Sequence, residues 1–64
     1  MYPVLLAWSK EDQLWIATIP DLLGCKADGK TRAEALRAIE LVEALWLEVA
    51  RDEGREFPLP TYYR

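Results

Sequence analysis

The sequence predicts an α+β domain: a small antiparallel sheet of three to four strands, with one long helix packed on one face, in the order β-β-β-α-β. Three observations carry that prediction. Two apolar, β-prone runs, Tyr2 to Trp8 and Leu14 to Ile19, flank a polar loop of about five residues, Ser9 to Gln13, as in an antiparallel hairpin. The stretch from Arg32 to Asp52 contains neither Pro nor Gly. A chain of 64 residues has room for one core only.

The elements follow in order. The hairpin ends at Pro20, and Pro20-Asp21-Leu22-Leu23-Gly24 reads as a turn, because Pro presets its backbone angle and Asp bonds to its own backbone. Cys25-Lys26-Ala27 continues as a short third strand closed by Asp28-Gly29. The helix opens on a capping box, Thr31-Arg32-Ala33-Glu34, in which Thr31 accepts from the Glu34 amide and Glu34 reaches back to Thr31. Gly54 follows its end, where a left-handed residue is commonly required. From Arg32 to Asp52 the helix runs roughly 31 Å, against roughly 20–23 Å for strands of six or seven residues, so it overhangs its sheet.

At 100° per residue, Ala35, Ala38, Ile39, Val42, Leu45, Trp46 and Val49 form one inward stripe. Leu36 and Leu47 border it, and Leu41 falls on the polar side. In the tail, Phe57 is expected to add a short edge strand before Pro58-Leu59-Pro60.

Composition excludes more than it selects. One cysteine and no histidine rule out an intrachain disulfide, a Ser-His-Asp or Cys-His pair, and a structural zinc site. A net charge of −3 argues against a phosphate-binding surface, whose footprint is a basic patch. The apolar stretch Val4 to Trp8 is too short to span a membrane, and Met1-Tyr2-Pro3 has no charged leader, so a cytoplasmic protein is expected.

Cys25 reads as a small core residue rather than a nucleophile, with only Lys26 nearby to lower its pKa. The loop acids Glu11, Asp12, Asp21 and Asp28 read as turn-formers rather than a Mg²⁺ cluster. Trp15 could stack on a base, but the acidic balance favours a core or interface role. No catalytic, cofactor-binding or metal-binding residue is expected, and the chain is read as a non-enzyme.

What the pattern does select is contact with other proteins. Both parities of the first two strands are apolar, and one helix covers one sheet face only. With the overhanging helix and its stray leucines, this implies a homodimer or higher oligomer, with Trp8, Trp15, Leu36, Leu41 and Leu47 as the expected self-association residues.

Tyr2-Pro3-Val4, the acidic loop, and then Trp15-Ile16-Ala17-Thr18-Ile19-Pro20-Asp21-Leu22-Leu23-Gly24-Cys25 resemble the HicB-like antitoxin family over essentially the whole chain. Gly29-Lys30-Thr31-Arg32-Ala33-Glu34-Ala35, the helix ending Leu45-Trp46-Leu47-Glu48, Gly54 and Pro58-x-Pro60 extend the resemblance. It implies a partial RNase H-like fold, homo-oligomers, and a small basic HicA-like toxin, an mRNA interferase, as partner. The toxin surface expected is Glu11 and Asp12 with Trp15.

Two departures stand out: Leu23 replaces a usual second Pro, and the Lys10–Gln13 loop lacks the usual Gly. One domain, residues 1–64, is expected, without the C-terminal DNA-binding module that many members carry, so no direct DNA binding is expected either. An orphan oligomeric scaffold domain without a toxin is the alternative reading, and a nucleic-acid binder or degenerate nuclease the least favoured.

Overall fold

The computed structural model describes residues 2–58. Three strands, β1 (Leu5–Ser9), β2 (Leu14–Thr18) and β3 (Lys26–Gly29), precede one helix, α1 (Arg32–Asp52). The sheet is antiparallel in the order β1-β2-β3, and α1 lies over β3 and β2. The predicted α+β architecture is therefore present.

Pairing register assigns the faces, because directly opposed residues share a side of the sheet. Leu6 lies opposite Ala17, Trp8 opposite Trp15, Ala17 opposite Ala27, and Trp15 opposite Gly29. These residues face α1. Leu5, Ala7, Leu14 and Ile16 belong to the alternate parity and face away from it.

The third strand is longer than its sequence suggests. Asp28 and Gly29 read as a closing turn, yet they pair with Ile16 and Trp15 and finish β3. The turn before it is tied at both ends: the Ile19 amide donates to Cys25 O at 3.1 Å, and the Leu22 amide to Ile19 O at 3.0 Å. That places Ile19, Leu22 and Cys25, each at most 1% exposed, beneath α1 with Ala17, Ala35 and Ile39.

The two ends of α1 are closed by local chemistry. Thr31 Oγ1 accepts from the Glu34 amide at 3.1 Å, as the capping box requires. Glu34 Oε1, however, accepts from the Lys30 amide at 2.9 Å instead of from Thr31, one residue further back than expected. At the other end Gly54 has φ +74°, the Gly54 amide donates to Arg51 O, and the Arg55 amide donates to Ala50 O. This is a Schellman motif, satisfying carbonyls that the helix would otherwise leave open.

The same motif turns the tail back along α1. Phe57 comes to rest beside Leu47 and Arg51 on the helix, and residues 55–58 form no strand, so the edge strand expected at Phe57 does not form there. Tyr2 Oη donates to Pro58 O at 2.7 Å and ties the tail to the approach to β1. The remainder of the expected tail, 59–64, lies outside the described residues.

The inward stripe of α1 is also rotated from its predicted position. Ala35, Ile39, Val42, Trp46 and Ala50 form the packed line, while Leu45 is 60% and Val49 41% exposed. A sheet of three short strands reaches only part of the arc that a wider sheet would cover.

Small residues set the distance between the layers. A Cβ placed on Gly29 would stand 2.5 Å from the Ala35 amide nitrogen and 2.8 Å from the Glu34 backbone carbon. The obstruction is backbone, which has no rotamer to change. Gly29→Ala is therefore expected to destabilise the fold by about 1–3 kcal/mol, the usual range for overpacking, read as a lower urea midpoint.

Cys25 offers a second test. Burial pushes its thiol above the ordinary range, and the Glu43 carboxylate pushes in the same direction. The folded chain thus holds the thiol proton more tightly than the unfolded chain. That contribution is complete below the unfolded value, about 8.5, and is lost as pH rises through the folded value. The urea midpoint should fall more steeply above about pH 8.5 in the native chain than in Cys25→Ala.

Candidate functional site

The hairpin gathers most of the residues that the sequence singles out. Trp8 and Trp15 are opposed across β1 and β2, with ring centroids 5.5 Å apart and planes at 62°, an edge-to-face pair. Gly29 lies opposite Trp15 on β3 and has no side chain to cover the ring. Arg32, in the first turn of α1, takes that place, its guanidinium carbon 5.2 Å from the Trp15 centroid. Trp15 is half-buried against the core, whereas Trp8 stays 47% exposed.

Just beyond this stack, the loop from Lys10 to Gln13 is held in one shape. The Gln13 amide donates to Ser9 O at 2.8 Å, with Gln13 at φ +57°. Gln13 Nε2 donates to Lys10 O at 2.8 Å, and the Asp12 amide to Ser9 Oγ at 3.3 Å. Asp12 Oδ2 accepts from the same hydroxyl at 3.3 Å. Glu11 is exposed and makes no hydrogen bond or ion pair among the described residues. Glu11, Asp12, Trp8 and Trp15 therefore share one end of the molecule, with acidic groups outside and an aromatic pair behind them.

The leucines of α1 separate onto two flanks. Leu47 packs on the core and, with Ala44, Glu48, Arg51 and Phe57, lines an open groove on the tail side. Leu36, 38% exposed, lies on that same flank. Leu41, 74% exposed, lies on the opposite flank with Leu45 and Val49. Of the five residues expected to self-associate, Trp15 and Leu47 thus spend much of their surface on the chain's own core. Leu41 keeps most of its surface, and Trp8 and Leu36 keep under half of theirs. The outward sheet face carries Leu5, 62% exposed, with Ala7, Leu14 and Ile16.

Among the described residues, no three His, Cys, Asp or Glu side chains group so as to hold a metal ion, and no helix is long and apolar enough to cross a membrane.

A curated relative covers most of the chain. UPF0150 protein ssl0259 of Synechocystis sp. (strain ATCC 27184 / PCC 6803 / Kazusa) is 37% identical over 57 residues, which span 89% of this chain and 77% of that protein. The chain belongs to the UPF0150 family. No family model matches it, and no solved structure matches it significantly.

In this UPF0150 chain two contacts were not legible from sequence. Trp46 Nε1 donates to Leu23 O at 2.9 Å, fastening the Pro20–Gly24 turn to α1, and Arg55 lies 5.5 Å from the Trp46 centroid. An indole facing an apolar turn offers no pattern that names its acceptor. The Arg32–Trp15 contact had no signal either, because Gly29 reads as a turn residue and not as the strand neighbour of Trp15.

The two hairpin tryptophans should therefore separate in their cost. Trp15→Ala removes core packing and is expected to cost about 2–3 kcal/mol, below the roughly 3–5 of a fully buried ring. Trp8→Ala, at a ring left 47% exposed, should cost less, with the aromatic pair contributing about 0.5–1.5 kcal/mol. Denaturant titration of both variants measures the difference.

Proposed function

We propose that this UPF0150 chain is a HicB-like antitoxin-type protein that binds and neutralises a small, basic HicA-type mRNA interferase by protein–protein contact. The observation that carries the reading is the hairpin end, where Glu11 and Asp12 stand beyond the exposed Trp8 and the Trp15–Arg32 stack. Inhibition of this kind needs a complementary surface and no reactive group. A net charge of −3 suits a cationic partner, and exposed Trp and Arg side chains are over-represented at interface hot spots. The family membership and the Pro20-Asp21-Leu22-Leu23-Gly24-Cys25 run support the same reading.

A second reading, an oligomeric interaction domain without a toxin, is favoured by the apolar surface at Leu41, Leu45 and Leu5, which lies away from the acidic loop. Reading the flanking frames and co-expressing any short, basic, growth-arresting neighbour with this chain separates the two. Relief of that neighbour's growth arrest, lost in Glu11→Lys/Asp12→Lys and in Trp8→Ala while the fold is retained, is the expected result. An arrest that the native chain leaves unrelieved overturns the antitoxin reading.

A further inference from the structure

One flank of α1 carries a seam that nothing among the described residues covers. Ala38, Leu41, Leu45, Val49 and Asp52 recur at spacings of three and four residues and lie along one side of the helix. Leu41 is 74%, Leu45 60% and Val49 41% exposed. The packed line Ala35, Ile39, Val42 and Trp46 lies beside it and faces the sheet, with Ala50 buried further along. Phe57, in the described part of the tail, lies on the other flank beside Leu47 and Arg51.

We propose that this seam is a two-fold interface with a second copy of the chain, the two α1 helices packed antiparallel about Leu45. A spacing of three and four suits a shallow crossing, about 20°, that keeps two helices in contact along their length. A two-fold axis beside Leu45 sets Leu45 against its own copy and Leu41 against Val49 of the second copy. It also brings Arg37 beside Asp52 of the second copy, at both ends of the seam.

The charges choose this occupant and this direction. Arg37 and Asp52 have no ion-pair partner within the chain among the described residues, so each is free to take the other across the axis. Parallel packing would instead stack Asp52 on Asp52 and Glu34 on Glu34 near the contact line, and like charges so placed oppose association. The seam is thus complementary to itself in one orientation only, as an isologous interface must be.

Sedimentation from micromolar to submillimolar concentration tests the proposal on the full chain. The native chain is expected to dimerise and Leu45→Lys to remain monomeric with unchanged circular dichroism, since that side chain is exposed. Arg37→Glu should weaken the dimer roughly tenfold or more, and Arg37→Glu with Asp52→Arg should restore it.

Direction is read by disulfide trapping in a Cys25→Ala background. Leu45→Cys should cross-link to its own copy. Leu41→Cys should not, because two copies of residue 41 lie about 12 Å apart along the seam, beyond the roughly 7 Å limit for Cα atoms. Paired with Val49→Cys, it should. A native chain monomeric throughout overturns the proposal. So does cross-linking of Leu41→Cys alone as readily as Leu45→Cys. Dimerisation that survives Leu45→Lys but is lost in Ile16→Lys would place the interface on the open sheet face and overturn it as well.

Discussion

The close seating of α1 on the end of β3 is the constraint on which the rest of the structure depends. Gly29 sits where any side chain would meet the Ala35 amide, and Ala17, Ala27 and Ala35 keep the space beneath the helix thin. The cap is built into the same few residues: Lys30 donates its amide to Glu34, and Thr31 accepts from Glu34 in return. A helix held this near its sheet excludes water from Ile19, Leu22, Cys25 and Ile39. Those few apolar side chains are most of what so small a chain can bury, and near-complete burial makes each count.

The same seating shapes the surface. Because Gly29 brings no side chain to the position opposite Trp15, Arg32 can lie on that ring, and Trp15 is fixed from three sides while Trp8 remains free. An exposed aromatic braced by a rigid neighbour loses little conformational freedom on binding, which is the property that makes Trp effective at interfaces. The acidic loop is braced too, by the Ser9, Lys10, Asp12 and Gln13 hydrogen bonds. Glu11 is thereby presented from a fixed frame.

What could be read in the sequence follows from how local each feature is. The bounds of α1 were legible to the residue, because Thr31, Glu34 and Gly54 act within one turn of the helix ends. The hairpin was legible for the same reason. The rotation of the helix stripe was not: whether Leu45 and Val49 are covered depends on how far the sheet reaches sideways, and no periodicity in α1 contains that width. Nor was the second hydrogen bond of the cap, since Glu34 can reach either Lys30 or Thr31 and the geometry of the turn after Gly29 decides between them. At the hairpin end, Glu11 and Asp12 beside Trp15 were legible from the hairpin, while the place of Trp8 against Trp15 came from the pairing register. The part played by Arg32 was not legible, because it joins residues 17 positions apart through the seat of the helix.

Two surfaces that use different parts of the molecule can work at once. Arg32 and Leu45 lie roughly 20 Å apart along α1, so a partner held at the hairpin end leaves the seam open. In an antiparallel pair, the two helix N-termini, and with them the two Trp8–Trp15 ends, point in opposite directions, roughly 40 Å apart. Such a pair would bind two separate partners without crowding and would gain avidity for a partner that is itself dimeric, provided its own sites match that span. A single acidic hairpin of this size would offer a partner little surface, and pairing through the helix would double the number of sites without altering either one.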